Sequence, residues 1–303
     1  MSQEELRTEI QRLKKEKNAL ILAHTYQNDE VQEIADFVGD SLELSRLAAE
    51  TPHPVLVFCG VHFMAESAAL LSPEKTVILP VIEAGCPMAE MADAETVKEW
   101  RAKYPKAAVV AYVNTSAAVK AESDICCTSS NALRVVRSLP QEEVIFLPDQ
   151  NLGSYIAARV PEKKFHLWPG FCRTHHQVTV EEVKRVKEAH PEAKLLIHPE
   201  CRPEVSALAD FVGSTKQIVE EVGKMEASTF IIGTEMGIIH GLKKRYPEKR
   251  FYLLTPRLVC PNMKKTTLQD VVRALRTLEP VITVPEPVRS QARLSLERML
   301  AIK

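Results

Sequence analysis

The chain has 303 residues, of which 45% are hydrophobic, so it can bury a large core and is long enough for two or three domains. Its 39 Lys and Arg residues nearly balance its 40 Asp and Glu residues, and the formal net charge of -1 excludes strong electrostatic recruitment to nucleic acid or an anionic membrane. Small molecules are therefore the expected partners.

The N-terminal segment, residues 1–18, is charged and has the pattern of an amphipathic helix rather than of a signal peptide. The longest apolar runs, such as residues 77–82, have the length of a strand and are too short to span a membrane. We therefore expect a cytoplasmic protein without a membrane segment.

Beyond this helix, short apolar runs alternate with helical patterns. The apolar runs predict strands at 19–23, 36–38, 54–58 and 76–81. The helical patterns predict helices at 29–35, 41–50 and 64–71. Such alternation predicts a parallel sheet covered by helices, because parallel strands need crossover connections.

The same pattern occurs three times along the chain. Aligning 18–27 with 106–115 and 192–201 places His24, Tyr112 and His198 in one register, at steps of 88 and 86 residues. The same steps relate other landmarks: Asp36, Asp124 and Asp210; Ser41, Ser129 and Thr215; and Pro-Glu-Lys triplets at 73–75, 161–163 and 247–249. Repetition at a fixed period indicates a repeated structural unit.

We therefore predict an α/β fold of three homologous three-layer α/β/α domains, each with a parallel sheet, related by pseudo-three-fold symmetry around a central active site. Linking helices are predicted at 94–104 and 180–190, with a counterpart at 266–278. The predicted domains are 1–88 together with 264–303, then 89–175, then 176–263. The C-terminal helices are expected to pack on the first domain.

Polar residues follow the predicted strands, and ligands of parallel sheets bind at the carboxyl ends of the strands. The residues that follow the first strand of each repeat are His24 and Tyr26, Tyr112 and Asn114, and His198 and Glu200. Those that follow the second strand are Ser41, Ser129 and Thr215. All three sheets are thus predicted to direct these residues at one cavity.

Three of the seven cysteines, Cys86, Cys172 and Cys260, follow the fourth strand of their repeats, whereas the other four have no cysteine counterpart. An odd count without a secretory signal argues against disulfides. Three converging thiolates suit a [4Fe–4S] cluster with one open iron, which can act as a Lewis acid. A zinc site with three cysteines and one open position is the alternative.

Each of these residues also has a purely structural interpretation. A cysteine at a strand end is often a small buried residue. Ser41, Ser129 and Thr215 have the residue types of helix N-caps, although a helix N-terminus also attracts anions. The structural interpretation of His24 and His198 is that each is a hydrogen-bonded core histidine, but their shared register argues against it.

Taken together, these segments resemble the A-type quinolinate synthase family over essentially the full length. The strings that carry the resemblance are AHTYQ (23–27), GDSLELS (39–45), EAGCPMA (83–89), AYVNTSAAVKA (111–121), CTSSNA (127–132), WPGFC (168–172), HPEC (198–201), VGSTKQIV (212–219) and CPNMK (260–264). The resemblance implies three stacked α/β/α domains. It also implies one [4Fe–4S] cluster per chain, held by Cys86, Cys172 and Cys260.

The implied activity is a transferase reaction with dehydration chemistry, in which iminoaspartate and dihydroxyacetone phosphate condense to quinolinate, phosphate and two waters in NAD biosynthesis. By resemblance, the substrate pocket is lined by His24, Ser41, Tyr112, Val113, Asn114, Ser129, His198, Pro199, Glu200 and Thr215. Glu200, oriented by a neighbour such as His198, is the candidate general base. Tyr26 and Tyr112 are candidates for proton relay or carbonyl binding, and His24 is grouped with them. A histidine within 173–176 is expected to approach the substrate.

Functional coupling to an L-aspartate oxidase or an aspartate dehydrogenase would supply iminoaspartate. The competing functions are another iron–sulfur hydro-lyase, which the motif strings oppose, and an iron–sulfur sensor, for which the sequence has no DNA- or partner-binding element. A catalytically inactive scaffold of three repeats is the remaining alternative.

Overall fold

In a computed structural model that describes residues 1–302, the chain forms three four-stranded parallel sheets flanked by helices. This confirms the predicted fold class. No helix among the described residues is long and apolar enough to cross a membrane.

The elements of the first repeat are α1 (Gln3–Glu16), β1 (Ala19–His24), α2 (Asp29–Ile34), β2 (Phe37–Gly39), α3 (Ser41–Glu50), β3 (Val55–Cys59), α4 (His62–Leu71) and β4 (Thr76–Ile78). Those of the second are α5 (Ala94–Lys103), β5 (Ala107–Tyr112), α6 (Ala117–Ala121), β6 (Ile125–Cys127), α7 (Ala132–Ser138), β7 (Glu143–Leu147), α8 (Gln150–Ala157) and β8 (Lys164–Leu167).

The third repeat consists of α9 (Arg173–His176), α10 (Val180–Ala189), β9 (Lys194–Ile197), α11 (Pro203–Ser206), β10 (Phe211–Val212), α12 (Thr215–Lys224), β11 (Thr229–Gly233), α13 (Ile238–Arg245) and β12 (Arg250–Leu253). Two helices complete the chain, α14 (Leu268–Thr277) and α15 (Val288–Ala301).

The three sheets have one strand order, in which the first strand of each repeat lies between its second and third strands. The orders are β2-β1-β3-β4, β6-β5-β7-β8 and β10-β9-β11-β12. The second strand is therefore added on one side of the first strand, and the third and fourth strands are added on its other side. The order of the strands reverses between the first and third strands. Ligands bind beside such a switch point, at the carboxyl ends of the strands.

The repeated residues found in the sequence make equivalent bonds in each repeat. The carboxylates of Asp36, Asp124 and Asp210 accept backbone N–H groups from the first strand at 2.9, 2.7 and 2.8 Å. The lysines of the three triplets, Lys75, Lys163 and Lys249, each donate to a carbonyl at the C-terminal end of the helix that follows the second strand of the repeat (α3, α7 or α12), at 2.7, 2.7 and 2.6 Å. These bonds satisfy backbone groups that a strand edge and a helix C-terminus leave unpaired.

The two C-terminal helices pack in different places. α14 packs on α1, where Leu6, Ile10, Val271 and Leu275 belong to one buried apolar cluster. α15, which was also expected on the first repeat, packs mainly on α6 and β6 of the second, and on α4. The division that assigns residues 264–303 to the first domain therefore stays a prediction.

The third repeat is joined closely to the first at Gly237. A Cβ atom at this position would lie 2.7 Å from the Cα atom of Tyr26 and 2.8 Å from the carbonyl oxygen of Thr25. The carbonyl of Gly237 also accepts the side-chain amide of Gln32 at 3.0 Å. Only glycine allows the two backbones to approach so closely.

We expect Gly237→Ala to lower the free energy of unfolding by about 1–3 kcal/mol, because the added methyl group overlaps the backbone of another repeat. Gly241→Ala is the control, since a Cβ atom there meets nothing within 4 Å and the residue lies inside α13. It should be neutral or stabilise by up to about 1 kcal/mol. Denaturant unfolding of both variants checks this, and equal stabilities would contradict the close packing.

Candidate active site

One cavity lies where the carboxyl ends of the three sheets meet, and its walls come from all three repeats. Its lining includes all but two of the predicted site residues: His24, Tyr26, Ser41, Cys86, Tyr112, Asn114, Ser129, Cys172, His198, Glu200, Thr215 and Cys260. Val113 and Pro199 are buried between lining residues but do not line the cavity themselves. Their contact with substrate stays a prediction.

Cys86, Cys172 and Cys260 are half-buried in the cavity wall, whereas the other four cysteines are fully buried. All seven thiols are free. Burial raises the pKa of each of the three cavity thiols, to about 12 for Cys86. Thiols in such surroundings become thiolates when a metal binds and displaces the proton.

The spacing of these thiols bears on the kind of metal centre that fits. Three thiolates around one tetrahedral zinc, at about 2.3 Å each, would lie about 3.8 Å from one another. Among the described residues, the one group of three metal-ligand types whose atoms all lie within 4.8 Å of one another is Cys172, His175 and Glu200. The three cysteines do not form such a group, so they are spaced more widely than one zinc ion requires. The lining residues are compatible with a larger metal centre.

Glu200 is buried and carries the central carboxylate of the cavity. Its Oε1 accepts the phenol O–H of Tyr112 at 2.7 Å, and its Oε2 lies 2.8 Å from Nδ1 of His175. His198, the neighbour expected to orient it, is farther away, with Nδ1 at 3.8 Å from Oε2. Burial favours a raised pKa for Glu200, but His198, His175 and the two hydrogen bonds outweigh it and lower that pKa. Glu200 is therefore an anion held by two donors.

His24 and His198 have the same local geometry in their repeats. Nδ1 of each ring accepts the backbone N–H two residues later, from Tyr26 at 3.1 Å and from Glu200 at 3.3 Å. Burial lowers the pKa of His24 to about 3 and that of His198 to about 4. Both rings are therefore neutral with their proton on Nε2, and Nε2 of His198 lies 3.3 Å from the hydroxyl of Ser129.

A chain of hydrogen bonds connects Tyr26 to Glu200. The hydroxyl of Tyr26 lies 2.7 Å from that of Thr215 and 2.6 Å from that of Thr234. The Thr234 hydroxyl lies 2.8 Å from Nε2 of His175, whose Nδ1 lies 2.8 Å from Oε2 of Glu200 and 3.2 Å from Sγ of Cys172. One direction satisfies every donor: Thr215 donates to Tyr26, Tyr26 to Thr234, Thr234 to His175, and His175 to Glu200.

Three hydroxyl residues lie beside helix N-termini that face the cavity, but they are not the capping residues. The cap of α3 is Asp40 and the cap of α12 is Ser214, and each makes a capping box. Ser41 and Thr215 occupy the first positions of these helices. Ser129 precedes α7, whose N-cap is Asn131.

The first turns of α3 and α12 also meet through Ser130. Its hydroxyl donates to the carboxylate of Asp40 and lies 2.8 Å from the hydroxyl of Ser214. All three repeats thus contribute to one polar junction beside the cavity.

Asn114 has a buried side-chain oxygen, Oδ1, without a hydrogen-bond partner among the described residues. The residue lines the cavity, and such an unpaired buried oxygen costs free energy unless a ligand donates to it.

Several residues of this site were missed or left open by sequence reasoning. Within the segment 173–176, His175 lines the cavity, whereas Nδ1 of His176 faces Asn151. Thr234 and Glu235 were not predicted, although Glu235 lies 86 residues after Asp149 in the register of the repeats. Asp149 and Glu235 are different residue types, so comparison of the repeats by residue identity did not reveal that their positions are equivalent.

Comparison with known proteins shows which family the chain is similar to. The model of the family described as Quinolinate synthetase A protein matches residues 8–301. A protein of Caldicellulosiruptor saccharolyticus named quinolinate synthase is 56% identical over 302 residues, covering 100% of both chains. One of Alkaliphilus metalliredigens with the same name is 57% identical over 303 residues, again covering 100% of both. Quinolinate synthase 2 of Methanosarcina acetivorans is 54% identical over 294 residues, covering 97% of this chain and 94% of that one.

We expect Thr234→Val to lower the free energy of unfolding of the metal-free protein by about 1–3 kcal/mol, because Tyr26 and His175 lose a buried partner. Thr266→Val is the matched control, since the Thr266 hydroxyl is buried without a partner among residues 1–302. Its replacement should be neutral or stabilising. Equal losses in the two variants, measured by denaturant unfolding, would contradict a role for the Thr234 hydroxyl.

Proposed function

The chain belongs to the quinolinate synthetase A family, and we propose that it condenses iminoaspartate with dihydroxyacetone phosphate to give quinolinate, phosphate and two waters. This is a transferase reaction with dehydration steps. The observation that carries the proposal is the full-length match to proteins named quinolinate synthase, on a chain whose three repeats direct thiols, imidazoles and a carboxylate into one cavity.

The proposed cofactor is one [4Fe–4S] cluster held by Cys86, Cys172 and Cys260. The wide spacing of these residues and their place in the lining of one cavity support a multi-iron centre over a single zinc ion. When bound, the cluster supplies an iron without a protein ligand, which acts as a Lewis acid on a substrate oxygen in dehydration.

Binding of two anionic substrates is assigned to the helix N-termini and the neutral histidines. Ser41 and Thr215 lie in the first turns of α3 and α12, where the helix dipole and the backbone N–H groups that the caps do not use favour phosphate or carboxylate. Ser129 adds a hydroxyl beside His198. Neutral imidazoles with the proton on Nε2 serve as donors without adding charge.

We assign Asn114 as the acceptor for a polar donor group of the substrate, because its buried Oδ1 lacks a partner in the described chain. An imine N–H or a hydroxyl of the substrate would satisfy this oxygen. Val113 and Pro199 are proposed to shape the pocket through their backbone, since both lie beside lining residues.

Glu200 is proposed as the general base, because its carboxylate is ionised, buried and within the cavity. The phenol of Tyr112 and the imidazole of His175 both face this carboxylate as donors and orient it. The contacts from Thr215 through Tyr26, Thr234 and His175 are directed toward Glu200, so they can deliver a proton to the site during tautomerisation.

The supply of iminoaspartate is proposed to come from an L-aspartate oxidase or an aspartate dehydrogenase, because the reaction needs an imine of aspartate made by oxidation. This coupling and the cytoplasmic localisation stay predictions.

The anaerobically reconstituted protein should form quinolinate from freshly generated iminoaspartate and dihydroxyacetone phosphate. Cys86→Ser, Cys172→Ser and Cys260→Ser should each lose the cluster and the activity, because serine is a poor ligand for iron–sulfur iron. Product chromatography and iron analysis check both results.

Cys126→Ser is the control, because the Cys126 sulfur lies 3.3 Å from the Ser295 hydroxyl and a serine can keep that hydrogen bond. This variant should retain the cluster and the activity. A protein that binds the cluster and makes no quinolinate would refute the proposed substrates.

Glu200→Gln should keep the cluster and reduce turnover by at least about 100-fold, because the amide cannot accept a proton. Rapid-quench measurement of quinolinate formation, with iron content as the control for cluster binding, tests the role. Substantial residual turnover would refute it.

A further inference from the structure

Each cysteine of the cavity follows a loop that is held by one repeated backbone hydrogen bond. A residue at or just before the start of the helix after the third strand donates its N–H to the carbonyl two residues before the cysteine. The three bonds run from His62 to Ala84, from Gln150 to Gly170 and from Met236 to Leu258, each at 2.8 Å. The loops therefore share one backbone attachment to their sheets.

In the second repeat a buried carboxylate adds another attachment. Asp149 is the N-cap of α8, and its Oδ1 accepts the N–H groups of Asn151 and Leu152 at 2.9 and 2.8 Å. Its Oδ2 accepts the backbone N–H of Cys172 itself at 3.0 Å. The two oxygens of one side chain thus join the helix N-terminus to the cysteine.

The third repeat has the same arrangement with a longer side chain. Glu235, 0% exposed, accepts the N–H of Gly237 on Oε2 at 2.7 Å and the N–H of Cys260 on Oε1 at 3.0 Å. The ammonium of Lys264 lies 3.2 Å from this carboxylate and also donates to the carbonyl of Tyr26 at 2.6 Å.

The first repeat lacks this device. The position equivalent to Asp149 and Glu235, 88 residues before Asp149, is Val61, whose side chain accepts no hydrogen bond. The loop before Cys86 is instead held at the carbonyl of Glu83 by the ammonium of Lys265 at 2.6 Å. The carboxylate attachment is therefore a feature of two cysteines and not of the fold in general.

We propose that Asp149 and Glu235 are positioning residues for the metal centre, each fixing the backbone of one ligating cysteine so that its sulfur faces the cavity. The proposal rests on the proposed cluster ligands. A cysteine on an irregular loop has a free backbone torsion on either side of its Cα atom. A bond to its own N–H removes much of that freedom before the metal binds. Groups that orient metal ligands in this way commonly change metal affinity about 10- to 100-fold when they are replaced.

The amide variants Asp149→Asn and Glu235→Gln remove this contact selectively. Each amide keeps a single acceptor oxygen. In Asp149→Asn that oxygen is best used by the two N–H groups of α8, which leaves the amide NH₂ against the N–H of Cys172. In Glu235→Gln it is best used by Gly237 and Lys264, which leaves the NH₂ against the N–H of Cys260. The cap of α8 is kept in the first variant and the bond to Gly237 in the second, and in each the cysteine loses its acceptor.

Matched controls exist in the same two repeats. Asp124 and Asp210 also accept a backbone N–H through a carboxylate, from Val109 and Leu195, but they lie at the opposite ends of the strands from the cavity. Asp124→Asn and Asp210→Asn make the same chemical change away from the cysteines.

The experiment follows cluster loss from the anaerobically reconstituted full chain after addition of an iron chelator, by visible absorbance, with the electron paramagnetic resonance spectrum of the reduced cluster as a second readout. We expect Asp149→Asn and Glu235→Gln to lose the cluster about tenfold faster than the parent, with an altered spectrum. The two controls should match the parent in both measurements. Thermal unfolding of the metal-free variants reports their folding, and if one amide variant does not fold, the other decides.

If the amide variants lose the cluster at the same rate as the parent protein and give the same spectrum, the proposal is overturned. The assignment of the cluster ligands is unaffected by that result. Equal acceleration in the control variants would also overturn it, since the effect would then come from general stability. A parent protein that binds no cluster would refute the cofactor proposal and this inference with it.

Discussion

The site depends on the burial of one carboxylate, that of Glu200. A buried anion is tolerated only when hydrogen-bond donors or opposite charges replace its hydration. Here the donors are Tyr112 from the second repeat and His175 from α9, at the start of the third. His175 is held in turn by Thr234, and Thr234 by Tyr26 of the first repeat. Satisfying one charge therefore ties all three repeats to the cavity.

The scaffold is symmetric while the chemistry is not. The strand order, the strand-edge aspartates and the helix-ending lysines are repeated in all three units. The residues after the first strands, in contrast, are His24, Tyr112 and His198. Because the bonds that build each sheet do not involve these side chains, the repeats are free to differ at the cavity. An asymmetric cavity can hold two unlike anions in fixed positions, which suits the proposed condensation.

The packing of the repeats is unequal as well. One continuous apolar cluster covers parts of the first and second repeats, and α15 spans both. The third repeat has separate clusters on the two faces of its sheet. Its contacts with the first repeat include the ion pair of Lys216 with Glu43 at 2.8 Å and the close approach of Gly237 to Tyr26.

Much of this organisation is readable from the sequence, for physical reasons that can be named. Strands buried on both faces appear as apolar runs, and the carboxyl-end rule then locates the cavity without any coordinates. The register of the repeats singles out the three cysteines. It does not distinguish His175 from its neighbour His176, because only the orientation of the single turn α9 within the packed chain directs one ring to the cavity and the other to Asn151.

The sequence by itself thus determined the repeats, the sheets and the end of each sheet that carries the chemistry, because these follow from local periodicity. Tertiary structure alone decided which side chains meet. Tyr26 and Thr234 are 208 residues apart, and Tyr112 and Glu200 are 88 residues apart. It also decided that α15 packs on the second repeat. Contacts between distant residues depend on how the three sheets pack, and no local pattern encodes that packing.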